Sequence, residues 1–122
     1  MQKLIFVVDD THTDLAMAER ALEQNYRVIT LPSADTLFEM LEKLTPDLIL
    51  LDVQMPGTSG FEALKGLKAS GSYSAIPVII VTTEGTLDYV EVAVKLGAVD
   101  FIVKPYQQDV LLMKISDHLP SV

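Results

Sequence analysis

The chain has 122 residues, 49% of them apolar and 21% charged, with a net charge of −8 and no cysteine. That length and balance suit one globular domain, residues 1–122, with its own hydrophobic core, and they exclude a disordered chain. The missing cysteine excludes a disulfide framework, a thiolate zinc site and a cysteine nucleophile, while the acidic excess speaks against direct nucleic-acid binding, which leans on Lys and Arg neutralising phosphates.

In chain order, LIFVV (4–8) reads as the first strand, and THTDLAMAERALEQ (11–24) as a helix with Leu15, Ala18, Ala21 and Leu22 on one face. YRVITL (26–31) is more mixed and reads as an edge strand. SADTLFEMLEKL (33–44) follows as a helix with Ser33 as N-cap, Leu37, Met40, Leu41 and Leu44 as its stripe, and Pro46 just beyond its end. LILL (48–51) is continuously apolar, as are VIIV (78–81) and FIV (101–103); such runs mark strands buried on both faces. Between and after them SGFEALKGLKAS, TLDYVEVAVKLG and QQDVLLMKISDHL have helical spacing, the second with Gly97 as C-cap. Five strand–helix alternations predict an α/β domain: a parallel sheet with helices on both faces and right-handed crossovers. The N-terminal apolar run is too short for a signal peptide, and no stretch reaches the roughly 18 apolar residues needed to span a bilayer. The expectation is a soluble, cytoplasmic protein with no membrane partner.

The polar residues that end the strands are the informative ones. Asp9 and Asp10 follow the first run, Asp52 the third, Thr82 and Thr83 the fourth, Lys104 and Pro105 the fifth. In a parallel sheet these ends share one edge, where open α/β sheets bind ligands at the point of strand-order reversal. Asp52 is therefore expected at the mouth of a crevice and not in the core. Taken singly, each residue has an ordinary structural explanation: an Asp after a strand begins a turn or caps a helix, a strand-ending Thr is structural, and a Lys before Pro is a surface residue. Together they describe three close carboxylates that raise each other's pKa unless something positive offsets them. Lys104 is one candidate, and a hard divalent cation, Mg²⁺ or Mn²⁺, is the other. Carboxylate, hard metal, lysine and hydroxyl together make a phosphoryl-transfer site.

These residues closely resemble the receiver domain of two-component response regulators. The resemblance runs through the acidic pair Asp9–Asp10, DVQMPG holding Asp52, PVIIVT ending in Thr82, and GAVDFIVKP with Phe101, Lys104 and Pro105. It implies the flavodoxin-like (βα)5 fold with strand order 2-1-3-4-5. It further implies that Asp52 accepts a phosphoryl group from a histidine kinase or phosphotransfer protein. Mg²⁺ is then held by Asp10, Asp52 and the Gln54 backbone carbonyl, with Asp9 acting largely through water. Lys104 pairs with the phosphoryl group, Thr82 and Phe101 act as the switch, and the Lys104–Pro105 bond is cis. The responding surface would be the fourth helix, fifth strand and fifth helix, including Tyr89, Val92, Phe101, Tyr106 and residues of 108–118. It would serve a downstream protein, a fused output domain or a homodimer.

Some positions depart from the usual pattern. Phe101 stands where Tyr is frequent, and Thr83 where a small Ala is common. Gln54 and Glu84 occupy positions that tune acyl-phosphate hydrolysis in the family. His12 and His118 are expected to face solvent, Met17, Met40 and Met113 to fill the core or lie on helix faces, and Met55 to belong to the loop after Asp52. Pro120 suits a linker or a tail. Two other functions compete with this one. A metal-dependent aspartate phosphatase usually carries a second acid two residues after the nucleophile, where this chain has Gln54, so the domain is expected not to be an enzyme. A degenerate receiver, acting as a phosphorylation-independent interaction module, is opposed by the intact set Asp9, Asp10, Asp52, Thr82 and Lys104.

Overall fold

A computed structural model describes residues 2–55, 59–83 and 87–119. Of the residues singled out above, Pro56, Gly57, Glu84 and Pro120 lie outside the described residues, as does Thr86 at the start of the fourth helical stretch. The elements alternate as β1 (Leu4–Val8), α1 (His12–Leu22), β2 (Arg27–Leu31), α2 (Ala34–Leu41), β3 (Leu48–Asp52), α3 (Gly60–Ala69), β4 (Val78–Thr82), α4 (Leu87–Lys95), β5 (Asp100–Val103) and α5 (Gln108–His118). The five strands form one parallel sheet in the order β2-β1-β3-β4-β5.

Alternation of side chains along each strand divides the apolar residues between two layers. Leu4, Phe6, Val8, Ile49, Leu51, Val78 and Ile80 pack against Leu37 and Leu41 of α2, Ala63, Leu64 and Leu67 of α3, and Ala93 of α4. Ile5, Val7, Leu48, Leu50, Ile79, Val81 and Ile102 pack against Leu15, Ala18 and Leu22 of α1 and Leu111 and Ile115 of α5. Both faces of the central strands are covered, which is why their sequences show no polar alternation. Truncating one of the wholly buried leucines, such as Leu64, to Ala costs about 2–5 kcal/mol in such a setting.

Local signals set several boundaries. Ser33 Oγ accepts the Thr36 amide, capping α2, and Ser59 Oγ accepts the Glu62 amide, capping α3. Gly97 has a φ of 101°, the left-handed value expected of a glycine after a helix end.

The fold also corrects parts of the sequence reading. The run 101–103 reads as fully buried, yet β5 is the second edge strand, and within it only Ile102 is buried. A three-residue apolar run is too short to separate an edge strand from a central one. Of the two alternatives for Met17 and Met113, the core or a helix face, the helix face holds, with 58% and 56% exposure. His118 does not simply face solvent. Its Nε2 lies 3.0 Å from Asp100 Oδ2, because α5 packs back beside β5.

Candidate functional site

The carboxyl ends of β1, β3, β4 and β5 lie side by side. Their register places Val8 beside Leu51, Asp52 beside Val81 and Thr82 beside Val103. Asp9 stays in line with the sheet, since its amide bonds to the Leu31 carbonyl at 3.1 Å. Its Oδ1 accepts the Thr11 amide at 3.0 Å, closing the turn into α1, and its Oδ2 accepts Lys104 Nζ at 2.6 Å. Asp9 thus does the capping-type work that an isolated Asp would do, and it also carries an ion pair. Asp10 is exposed.

Asp52 differs from expectation: it is only 3% exposed, not at an open mouth. Strand β3 runs one residue further than its apolar run, so the side chain is still inside the sheet's cover. The close approach of α3 adds to this. A Cβ at Gly60 would stand 2.2 Å from the Asp52 carbonyl oxygen and 2.4 Å from Val53 Cα, so only glycine lets the helix start this near the strand. Asp52 Oδ1 accepts the Gln54 amide at 3.0 Å, and Oδ2 is 3.7 Å from Lys104 Nζ. Burial pushes the Asp52 carboxyl up to about 6 and the charge of Asp9 adds to the rise, against the lowering pull of the Gln54 amide and Lys104. This answers how a carboxylate can end a buried run. It is partly paired, and it is harder to ionise than an ordinary carboxylate.

Lys104 enters from β5. Its amide bonds to the Thr82 carbonyl at 2.7 Å, extending the β4–β5 ladder, and the Lys104–Pro105 peptide is cis. Its ammonium contacts Asp9, Asp14 at 2.8 Å and, more distantly, Asp52. Burial alone would lower the lysine's pKa, but hydrogen bonds to Asp14 and Asp9 and the charge of Asp52 outweigh it and hold the ammonium charged. Thr82 is 2% exposed and pairs in register with Val103, the residue before Lys104. Across the cleft, the exposed Gln54 side chain accepts both the Thr83 amide (3.0 Å) and the Thr83 hydroxyl (2.6 Å), joining the segments that follow β3 and β4. Phe101 sits apart from the carboxylates, half-buried, with Lys114 Nζ 5.4 Å from its ring centroid.

Carboxylate oxygens of Asp9, Asp10 and Asp52 lie within 4.8 Å of one another. An all-oxygen, multiply charged donor set of this kind fits a hard divalent cation and does not fit a soft one. Gln54 stands two residues beyond Asp52, in the turn that would bring its backbone to the same group.

Two groups were missed at the sequence level. Asp14, in the first turn of α1, resembles an ordinary helix-start acid, and nothing in its spacing reveals that it meets a lysine 90 residues away. Asp100, bound by both Lys114 and His118, was hidden for the same reason.

The family model described as the response regulator receiver domain matches residues 5–116. Protein PilH of Pseudomonas aeruginosa is 33% identical over 113 residues, covering 92% of this chain and 93% of PilH. A probable cyclic di-GMP phosphodiesterase of Vibrio cholerae is also 33% identical over 98% of the chain, which spans only 27% of that protein's length. The solved structure of the chemotaxis protein CheY4 of Vibrio cholerae superposes with a TM-score of 0.92 at 27% identity, covering 98% of this chain and all of CheY4. Among the described residues no helix is long and apolar enough to cross a membrane. With its sheet order, its acid-lined strand ends and a family match across nearly its whole length, the chain belongs to the receiver domains of two-component response regulators.

Proposed function

We propose that residues 1–122 form one receiver unit in which Asp52 is the phosphoacceptor, charged by a histidine kinase or phosphotransfer protein. The observation that carries this reading is the placement of Asp52. It is a buried carboxylate at a central strand end, with two more acids within metal-sharing distance and a lysine 3.7 Å away. One Asp52 oxygen forms the new O–P bond as the P–N bond of the donor phosphohistidine breaks, and the imidazole nitrogen keeps that electron pair. Asp9, Asp10 and Asp52, with the Gln54 carbonyl, would hold Mg²⁺ or Mn²⁺. When bound, such an ion neutralises phosphoryl oxygens and so lowers the repulsion between two anionic reactants. Lys104 supplies a fixed positive charge on the other side, already oriented by Asp9.

The added phosphoryl charge then has donors to recruit: Lys104 and the hydroxyl of Thr82, a residue buried at the end of β4. Thr82 and Phe101 lie on neighbouring strands, β4 and β5. Phe101 leads outward to Lys114 of α5, so the α4–β5–α5 face, with Tyr89, Val92 and Tyr106, is the surface that reports the change. Its reader would be a downstream protein, a fused output domain or a second copy of the chain. On this reading the domain accepts phosphoryl groups, turns over no other substrate, and works in the cytoplasm.

The test is intact-protein mass after incubation with a small acyl-phosphate donor, with and without Mg²⁺, beside Asp52→Asn. The expected result is one phosphoryl adduct that requires Mg²⁺ and is absent in the variant. An adduct that persists in Asp52→Asn would move the acceptor elsewhere. Mg²⁺ binding without any adduct in the wild type would require a specific kinase, and loss of both would favour a phosphorylation-independent interaction module.

A further inference from the structure

Lys104 is pulled in two directions. An ammonium has three N–H donors. Here one reaches Asp9 Oδ2 at 2.6 Å and another Asp14 Oδ2 at 2.8 Å, while Asp52 Oδ2 lies outside hydrogen-bond range at 3.7 Å. Asp9 is a neighbour of Asp52 in the acid cluster, so its pull keeps the lysine near the acceptor. Asp14 is different. It comes from the first turn of α1, its side chain is 35% exposed, and it is not among the acids that converge on Asp52. Beside it a cleft of about 360 Å³, lined by Asp14, Met17, Thr83, Lys104, Pro105 and Tyr106, leaves open space on the α1 side of the lysine.

We infer that Asp14 is a positioning residue that holds the Lys104 ammonium toward α1 and thereby weakens its engagement with a phosphoryl group on Asp52. The inference rests on the phosphoacceptor reading above and adds a residue to it. Asp9 and Asp14 leave Lys104 one donor, and a phosphoryl oxygen on Asp52 must draw the ammonium toward itself against the hold of Asp14, which also adds a negative charge near the arriving anion. Both effects run in one direction. Removing the charge of Asp14 loosens its hold on the ammonium, lowers the local negative potential and favours the phosphorylated form. Asp14 does not touch the reacting atoms, and its influence passes through Lys104.

The experiment is calorimetric titration of the protein with beryllofluoride, a phosphoryl mimic, at saturating Mg²⁺, on the wild type, Asp14→Asn, Asp14→Glu and Asp35→Asn. Asp14→Asn keeps an oxygen acceptor but loses the charge. It should bind the mimic about three- to tenfold more tightly, the range of a partly exposed ion pair. Asp14→Glu restores the charge and should return affinity to within about twofold of the wild type, since one added methylene leaves the ion pair in reach. Asp35 is an exposed acid in the first turn of α2, outside the α4–β5–α5 face, and does not pair with Lys104, so Asp35→Asn makes the same change in net charge without the contact and should leave affinity unchanged. Unchanged or weaker binding in Asp14→Asn would overturn the inference, as would an equal gain in Asp35→Asn, which would reduce the effect to net charge. Failure of the wild type and every variant to bind beryllofluoride would instead overturn the phosphoacceptor reading, and this inference with it.

Discussion

Two acid–base clusters stand at opposite ends of the β5 strand, and they are built on opposite principles. At its carboxyl end one lysine, Lys104, faces Asp9, Asp14 and Asp52, with Asp10 close by. At its amino end one carboxylate, Asp100, is shared by Lys114 at 2.9 Å and His118 at 3.0 Å. The same residue type is driven in opposite directions. Burial pushes Asp52 up to about 6. Burial would raise Asp100 as well, but Lys114, the Phe101 amide and His118 more than offset it and bring it below the ordinary carboxylate value. The Asp100 cluster has one ammonium and enough hydrogen-bond partners for its single carboxylate, and is finished. The Asp52 cluster is short of positive charge, and this shortfall is what a hard divalent cation would make good.

The sharpest way to break this contrast is Lys104→Met. It leaves the three facing acids, two of them almost wholly buried, without their counter-charge. Urea unfolding at pH 7 without divalent metal should show a loss of about 2–3 kcal/mol, below the range for fully buried pairs because Asp14 is open to water. Adding Mg²⁺ should recover part of it by mass action. A loss below ~0.5 kcal/mol would mean the cluster is not short of charge.

Asp52→Asn should act in the reverse sense. The folded carboxyl takes a proton below about 6, whereas the unfolded one does so only near 3.8. Between these values the folded state binds more protons, so wild-type stability rises as pH falls, and the penalty of the charged form is fully present at pH 7. Without metal, Asp52→Asn should therefore be about 1–2 kcal/mol more stable than the wild type at pH 7, with the gap closing by pH 4. A gap that is constant with pH would assign the gain to something other than the charge. The smallest effect is expected at the other cluster. Asp100→Asn should cost about 0.5–1 kcal/mol at pH 7. The depressed pKa of Asp100 means that this contribution is present above about pH 4 and lost below it. The cost should shrink in molar salt, which thermal unfolding at two ionic strengths would show.

The legibility of the molecule in its sequence follows the same division. Strands β1, β3 and β4 are legible because burial on both faces leaves continuous apolar runs, and the Ser33 cap and Gly97 stop are legible because their work is local. Asp9, Asp10, Asp52, Thr82 and Lys104 can be found because each ends a strand or lies within two residues of its end, and a parallel sheet must gather such ends. Burial of Asp52 was not legible, since it depends on α3 resting against the strand through Gly60. Asp14 and His118 were not legible either. Both lie on helices, and which strand-borne charge a helix meets is set by packing and not by any spacing within the helix.

The pairing of Lys104 with Asp9 spans 95 residues, and this has a consequence for the order in which the chain is made. Strands β1, β2 and β3 can associate as soon as residue 52 has left the ribosome, because they are neighbours in the sheet. If they do, Asp9, Asp10 and Asp52 meet before their lysine is synthesised. A nascent chain halted before residue 104 would then present an acidic edge without its lysine, which dissolved divalent cations would be expected to stabilise.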